Sequence, residues 1–95
     1  MEISKETDFE KAIRIVICRT EPGDILAYGE VAAEAGYPGA ARAVGNFLRN
    51  SEDLPWWRIV SADGRLHPHG ALQQEVLLRS EGFVIQKGKV VLPKN

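Results

Sequence analysis

The sequence has little cysteine and little histidine, and this scarcity excludes several ways of stabilising a small protein. Among its 95 residues there are one cysteine and two histidines, so the chain can form no internal disulfide and cannot supply the ligands of a zinc finger. Its apolar runs are only a few residues long, far from the roughly 20 that cross a bilayer. The opening residues, MEISKE, lack the basic and apolar parts of a signal peptide. These absences predict a cytosolic protein with no membrane partner.

The chain is also too short for many enzyme folds. A doubly wound nucleotide-binding fold or a barrel needs more than the 95 residues present, whereas one small domain of this size buries about 60–65% of the surface of its unfolded chain. The hydrophobic fraction of 44% and the charged fraction of 26% are ordinary for a globular protein. We therefore expect residues 1–95 to form a single domain.

Basic and acidic side chains are unevenly distributed, although the net charge is only −1. Residues 1–39 carry four basic and eight acidic side chains, whereas residues 40–95 carry eight basic and five acidic ones. A protein that is nearly neutral as a whole can therefore present one positive face to an anionic partner.

Three helices are predicted in the first half of the chain. Thr7 and Glu10 fit a capping box, and apolar residues follow them at helical spacing to about residue 19. A second helix over residues 29–35 ends at the glycine and proline residues of the segment 36–39. A third helix follows over residues 40–50. Two short helices joined by a turn that contains glycine indicate a helix-turn-helix.

The second half predicts an irregular segment, one helix and one hairpin. Residues 51–70 contain few periodic patterns, and a fourth helix over residues 71–81 would turn Leu72, Val76 and Leu77 inward. Two apolar runs, at 83–86 and 89–92, flank Lys87-Gly88 in the pattern of a β-hairpin that Pro93 ends. The predicted fold class is mostly α with a small β-hairpin, as in a winged-helix or helix-turn-helix DNA-binding domain.

Two side chains near the predicted helix-turn-helix suit contact with a nucleic acid. Arg42 stands near the start of the third helix among alanine and glycine residues, so a long cation could reach into a groove. Tyr28 comes just before the second helix, where a phenol could donate a hydrogen bond to a phosphate. Each residue also has a simpler interpretation, as a solvated helix arginine and as a half-buried aromatic ring.

Trp56 and Trp57 follow Pro55 and are the most unusual feature of the sequence. In an extended segment adjacent side chains point to opposite sides, so we expect one indole in the core and the other at a pocket or on the surface. A flipped-out base could stack on such an indole, at about 1–3 kcal/mol per base. Two core tryptophans are the alternative.

The remaining reactive side chains predict no catalytic or metal site. Cys18 is expected on or near the apolar stripe of the first helix, as a small buried side chain, and no histidine lies near it in the sequence. His67 and His69 have no acidic or thiol partner nearby in the sequence. We therefore predict no catalytic residue, no metal and no cofactor.

Three ordered segments resemble a known protein family. They are residues 23–32 (GDILAYGEVA), 40–45 (AARAVG) and 55–60 (PWWRIV), and they are similar to the C-terminal DNA-binding domain of the O6-alkylguanine-DNA alkyltransferases. The resemblance extends from about residue 5 to residue 85. It implies a winged-helix domain that binds DNA.

The chain departs from that family where the family's chemistry takes place. The alkyltransferases carry Pro-Cys-His-Arg, in which the cysteine accepts the alkyl group and the histidine relays its proton, whereas this chain has Pro55, Trp56, Trp57 and Arg58. Dealkylation needs a thiolate made by a neighbouring base, and both are missing. Glu75 matches a glutamate that supports the family's histidine, and we expect it to be structural here. The chain thus resembles the alkyltransferase-like proteins, in which tryptophan typically replaces the acceptor, and is not expected to be an enzyme.

The resemblance also implies roles for individual residues. The third helix would enter the minor groove, Arg42 would fill the space of an extruded nucleotide, and Tyr28 would bind or crowd the neighbouring phosphate. The implied DNA contacts are Tyr28, Ala41, Arg42, Ala43, Gly45, Asn46 and Arg49. The implied lesion pocket consists of Pro55, Trp56, Arg58 and His69, with His69 about where the alkyltransferases place a pocket tyrosine.

These implications predict a non-enzymatic DNA damage sensor. It would bind O6-alkylguanine in double-stranded DNA, flip out the damaged nucleotide without alkyl transfer, and flag the site for nucleotide excision repair. The expected protein is a monomer of the cytoplasm or nucleoid, or of the nucleus in a eukaryote, and its partners are damaged duplex DNA and nucleotide excision repair proteins. A winged-helix regulator of undamaged sites and a protein-interaction module are the alternatives.

Overall fold

A computed structural model of the chain describes residues 6–51 and 53–91. The elements along these ranges are α1 (Asp8–Cys18), β1 (Leu26–Ala27), α2 (Tyr28–Glu34), α3 (Ala41–Arg49), a 3-10 helix (Trp56–Arg58), β2 (Ile59–Val60), α4 (Ala71–Ser80), β3 (Ile85–Gln86) and β4 (Lys89–Val90). None of these helices has the length and apolarity that crossing a membrane requires. The described residues do not include residues 1–5 of the opening segment. They also do not include Leu92 and Pro93, where the predicted hairpin ends.

α1 begins with the predicted capping box. The Thr7 hydroxyl accepts a hydrogen bond from the Glu10 backbone N–H at 3.1 Å, and the Glu10 carboxylate accepts one from the Thr7 N–H at 3.0 Å. The helix buries one stripe, which consists of Ile13, Val16 and Ile17. The prediction that Cys18 is buried is wrong, since its side chain is exposed. Each helical residue is turned by about 100° from the one before it, which takes position 18 off the buried stripe.

α2 and α3 form the predicted helix-turn-helix. Val31 of α2 and Val44 of α3 are both fully buried in one cluster that also contains the stripe of α1. Gly36 ends α2 with a φ of +94°, a left-handed conformation that favours glycine. The side of α3 that carries Val44, Phe47 and Leu48 is buried, so the opposite side of the helix faces outward.

A short parallel strand pair, which the sequence did not predict, joins the two halves of the chain. Leu26 of β1 lies opposite Ile59 of β2, and Ala27 lies opposite Val60. In a parallel pair the residues that precede both strands lie at the same end. The 3-10 helix before β2 is therefore brought next to the turn before β1, where α1 has just ended.

Arg58 and Glu81 form a buried ion pair across this junction. The Arg58 Nε and Nη2 donate to the two Glu81 carboxylate oxygens at 3.0 and 2.8 Å, and Nη1 donates to the Thr20 carbonyl at 2.8 Å. The Trp57 indole N–H donates to the same carboxylate at 2.8 Å. The two charged side chains are only 9% and 10% exposed, and the hydrogen bonds from Arg58 lower the pKa of the Glu81 carboxyl.

α4 turns a different face inward from the one predicted. Leu72 and Val76, expected in the core, are 84% and 67% exposed, and Leu77 is half-buried. Leu78 and Gln74 are fully buried instead. Gln74 is tolerated there because its side chain donates to the carbonyls of residues 57 and 59, both at 3.0 Å, and accepts from the backbone N–H of residue 67 at 2.6 Å.

The predicted hairpin is formed by β3 and β4. Ile85 lies opposite Val90 in the antiparallel pair, and both are buried with Val60, Leu66 and Leu78 in a second apolar cluster. Lys87 and Gly88 connect the strands with φ angles of +53° and +76°, the positive angles that a tight two-residue hairpin turn favours.

Removal of the Glu81 carboxylate should destabilise the fold. In Glu81→Ala the buried guanidinium of Arg58 and the indole N–H lose their acceptor, and breaking a buried pair in this way costs about 3–5 kcal/mol of unfolding free energy. The matched control is Glu75→Ala, because the Glu75–Arg79 pair lies at the surface and its loss should cost about 0.5 kcal/mol. Urea unfolding measures both values, and similar costs for the two variants would contradict the role given to Glu81.

Gly64 should not tolerate a side chain. Its φ is +88°, and a Cβ at this position would lie 2.8 Å from the Val90 carbonyl oxygen. Gly88→Ala, where nothing lies within 4 Å of the added carbon, should cost only the left-handed backbone penalty of about 1–2 kcal/mol. Thermal unfolding should therefore show a larger loss for Gly64→Ala than for Gly88→Ala, and the reverse order would refute the close approach.

Candidate nucleic-acid interface

The outward side of α3 is basic and carries small side chains. Arg42, Ala43, Asn46 and Arg49 are exposed, and the helix contains no acidic residue. Within the described part of the chain Arg42 has no hydrogen-bond or ion-pair partner. Its side chain is therefore free to engage a ligand, between neighbours small enough to allow a close approach.

Tyr28 lies against the middle of α3. A Cβ built at Gly45 would lie 3.9 Å from the Tyr28 ring atom Cε1, so the ring and the glycine are neighbours. Burial raises the pKa of the Tyr28 phenol, which therefore keeps its proton at neutral pH and can donate a hydrogen bond. The predicted DNA contacts at Tyr28, Ala41, Arg42, Ala43, Gly45, Asn46 and Arg49 thus lie on α3 or directly beside it, and their roles stay predictions.

Trp56 walls a cavity of about 260 Å³ at the end of α3. The cavity is lined by Leu48, Arg49, Ser51, Trp56, His67, His69, Gly70 and Gln73. Gly70 lies directly under the indole, since a Cβ there would be 3.1 Å from Cη2 of Trp56. The indole and Leu48 supply the apolar part of the lining, and the other side chains are polar.

A second cavity, of about 560 Å³, also borders Trp56. It is lined by Ser51, Asp53, Leu54, Pro55, Trp56, Trp57 and Arg58. The four predicted pocket residues are therefore divided: His69 lines the first cavity, Pro55 and Arg58 line the second, and Trp56 lines both. The guanidinium of Arg58 is already engaged by Glu81 and by the Thr20 carbonyl.

The two tryptophans are arranged differently from the prediction. They form a 3-10 turn rather than an extended segment, so adjacent side chains do not point to opposite sides, and their rings meet edge to face with centroids 6.4 Å apart. Glu81 accepts a hydrogen bond from the indole N–H of Trp57, which stands at the position of the family's histidine. Glu75 pairs with Arg79 at the surface.

The two histidines contact each other through a backbone hydrogen bond. The His69 N–H donates to Nδ1 of His67 at 3.2 Å, so Nδ1 of His67 is an acceptor and its ring proton is on Nε2. Burial lowers the pKa of His67, and electrostatic interaction with His69 and Arg49 lowers it further. Within residues 6–51 and 53–91 no three histidine, cysteine, aspartate or glutamate side chains come together as a metal site would need.

Several side chains of the site were missed from the sequence. Ser51 and Gln73 line the first cavity, but no spacing or motif marks them. His67 also lines it, whereas the sequence drew attention to this residue only as a possible metal ligand. Glu81 could have been found, because it precedes the glycine that ends α4, and a buried Arg58 requires a carboxylate partner.

Comparison with known proteins identifies the family. Residues 8–83 match the family model for the 6-O-methylguanine DNA methyltransferase, DNA binding domain. The chain is 38% identical over 85 residues to a DNA base-flipping protein of Vibrio parahaemolyticus serotype O3:K6 (strain AQ3810), with 83% of this chain and 85% of the relative covered.

Solved structures agree with this family. The crystal structure of S. pombe Atl1 in complex with damaged DNA containing O6-carboxymethylguanine matches with a TM-score of 0.82 and 25% identity, over 95% of this chain and 93% of that one. The O6-methylguanine methyltransferase of Mycobacterium tuberculosis matches with a TM-score of 0.71 and 32% identity, over 81% of this chain and 50% of that one.

These matches confirm two predictions made from the sequence. The fold class is the predicted one, mostly helical with a helix-turn-helix and a small hairpin, and the resemblance to alkyltransferase-like proteins is confirmed. The match spans all four α-helices, from Asp8 at the start of α1 to the third residue after the end of α4. The chain therefore belongs to the family of 6-O-methylguanine DNA methyltransferase DNA-binding domains.

Proposed function

We propose that this chain is a non-enzymatic sensor of O6-alkylguanine in double-stranded DNA, acting as a single domain and as a monomer. The proposal depends on one observation: α3 carries at its start an arginine that has no partner among the described residues, and its end lines a cavity walled by Trp56. The names of two relatives, a DNA base-flipping protein and Atl1 in complex with damaged DNA, support it.

Two arginines on α3 link the start of the helix, which would face the DNA minor groove, with the cavity at its end. Arg42 and Arg49 are seven residues apart, so they lie on nearly the same side of the helix and about 10 Å apart along its axis. With α3 in the minor groove, the small residues around Arg42 would allow its side chain to enter the base stack. The nucleotide displaced there would be received at the other end of the same helix, beside Arg49.

Tyr28 would act on the phosphate next to the extruded nucleotide. Its ring contacts α3 at Gly45, which lies between the two arginines, and its protonated hydroxyl can donate to a phosphate oxygen. Extrusion costs a few kcal/mol and least for a damaged, poorly paired base. This difference would favour a lesion over normal guanine without any direct reading of the alkyl group.

Trp56 would hold the base but could not repair it. Alkyl transfer needs a thiolate activated by a neighbouring base, whereas the indole offers only a stacking surface. The single cysteine, Cys18, ends α1 and lines neither of the two cavities at Trp56. A complex that holds the lesion without removing it would then flag the site for nucleotide excision repair.

Duplexes that differ by one methyl group test this proposal. Labelled DNA with guanine or O6-methylguanine at one position is titrated with the protein at two salt concentrations. We expect tighter binding to the lesion at both concentrations, and weaker binding of both duplexes at higher salt, because basic side chains release counterions from phosphates. Mass spectrometry after incubation should find the methyl group still on the DNA.

Each other outcome points to a different function. Equal affinity for the two duplexes would indicate a generic binder or a regulator of undamaged sites. Absence of binding at low salt would indicate a protein-interaction module. A methyl group found on the polypeptide would identify an alkyltransferase and end the proposal.

Arg42→Ala should reduce the preference for the lesion by about tenfold or more, because the space left by the extruded base is no longer filled. A fluorescent purine analogue next to the lesion should show the accompanying loss of extrusion. The control is Lys87→Asn, which removes a cation from the hairpin turn and keeps a residue that tolerates the positive φ of that position. An Arg42→Ala protein that binds like the parent would disprove the role of Arg42 in extrusion.

A further inference from the structure

The cavity beside Trp56 has a basic character. Its titratable lining residues are Arg49, His67 and His69, and none of the described residues that line it is acidic. Asp53 lines the neighbouring cavity and not this one. A group that enters the cavity therefore meets basic side chains and, among the residues that the structure describes, no carboxylate.

The Arg49 charge acts on the cavity itself. Arg49 is exposed and has no ion-pair or hydrogen-bond partner among residues 6–51 and 53–91, and its positive charge is near enough to His67 to disfavour protonation of that ring. A guanidinium at the rim of a partly enclosed cavity is the side chain best suited to a carboxylate, since it can donate two parallel hydrogen bonds.

Neutral donors add to this charge. The ring proton of His67 is on Nε2, because Nδ1 accepts the His69 backbone N–H. Gln73 brings a side-chain amide to the lining. The Ser51 hydroxyl is not available as a donor, because it donates to the Phe47 carbonyl at 2.6 Å. The lining thus combines one aromatic wall with donors for an anion.

We infer that Arg49 is a specificity-determining residue that makes this cavity favour O6-alkyl groups ending in a carboxylate over neutral groups of the same size. The inference rests on the proposed function, because it assumes that the flipped guanine enters the cavity. The guanine would stack on Trp56, and its O6 substituent would meet the donors of Arg49, His67 and Gln73, which line the same cavity. A neutral substituent would gain only the stacking and the neutral hydrogen bonds.

Two nearly isosteric lesions isolate the charge. Duplexes carry either O6-carboxymethylguanine or its neutral amide, O6-carbamoylmethylguanine, at one position, and a third carries guanine. We expect the dissociation constant for the carboxymethyl duplex to be about threefold to tenfold lower than that for the amide duplex. In Arg49→Gln this ratio should fall to about one, and in Arg49→Lys part of it should remain.

Two further variants serve as controls. Lys87→Asn removes a cation that lines neither cavity at Trp56 and should leave the ratio unchanged. Arg42→Ala should weaken binding of both lesions by the same factor, so that the ratio also stays unchanged. Because Arg49 is exposed, Arg49→Gln should unfold at the parent temperature, which circular dichroism checks.

The possible outcomes separate this inference from the proposed function. If both lesions bind equally well and both bind better than guanine, the inference is wrong and the proposed function stands. If Arg49→Gln weakens all three duplexes by one factor, Arg49 is a phosphate contact and the inference is also wrong. If neither lesion binds better than guanine, the proposed function fails, and the inference fails with it.

Discussion

The structure depends on one buried ion pair, between Arg58 and Glu81. Arg58 belongs to the 3-10 helix and Glu81 follows α4, and the same guanidinium also bonds to the carbonyl that follows α1. Three segments that are distant in the sequence therefore meet at one charged group. Such a group is costly to bury alone, so the segments are constrained to come together in this geometry.

This constraint sets the position of the candidate site. The 3-10 helix carries Trp56 two residues before Arg58, and β2 continues directly from it into the parallel pair with β1. β1 in turn leads into Tyr28 at the start of α2. The aromatic wall of the cavity and the tyrosine beside α3 are thus both attached to the same two short strands. A shift of this junction would move both together.

Local sequence patterns predicted most of the helices and the hairpin. The features that they did not predict depend on contacts between residues far apart in the sequence. The capping box at Thr7 and the hairpin turn at Lys87-Gly88 involve neighbours in the sequence, which a pattern can reveal. The buried face of α4 was predicted wrongly, because it contains Gln74, a polar residue whose partners are backbone groups of another segment. The pairing of β1 with β2 could not be predicted either, because two-residue strands carry no pattern that identifies a partner strand more than 30 residues away in the sequence.

The candidate site was predictable in its parts and not in its arrangement. Residue type or family resemblance singles out Arg42, Tyr28 and Trp56. In the structure Arg42 lies on α3, Tyr28 lies beside that helix, and Trp56 lines the cavity at its end. The 3-10 turn at Trp56-Trp57 was missed because residue type does not distinguish it from an extended segment.

The hydrogen bond between Trp57 and Glu81 limits the chemistry that a thiol at position 56 could carry out. An indole nitrogen has no free electron pair with which to take a proton from a thiol, and Glu81 is committed to Arg58. A cysteine introduced at position 56 alone would therefore find no base in the side chain at position 57. Alkyl transfer at this site would therefore need a change at position 57 as well as at position 56, because the thiol and the base that activates it act as a pair.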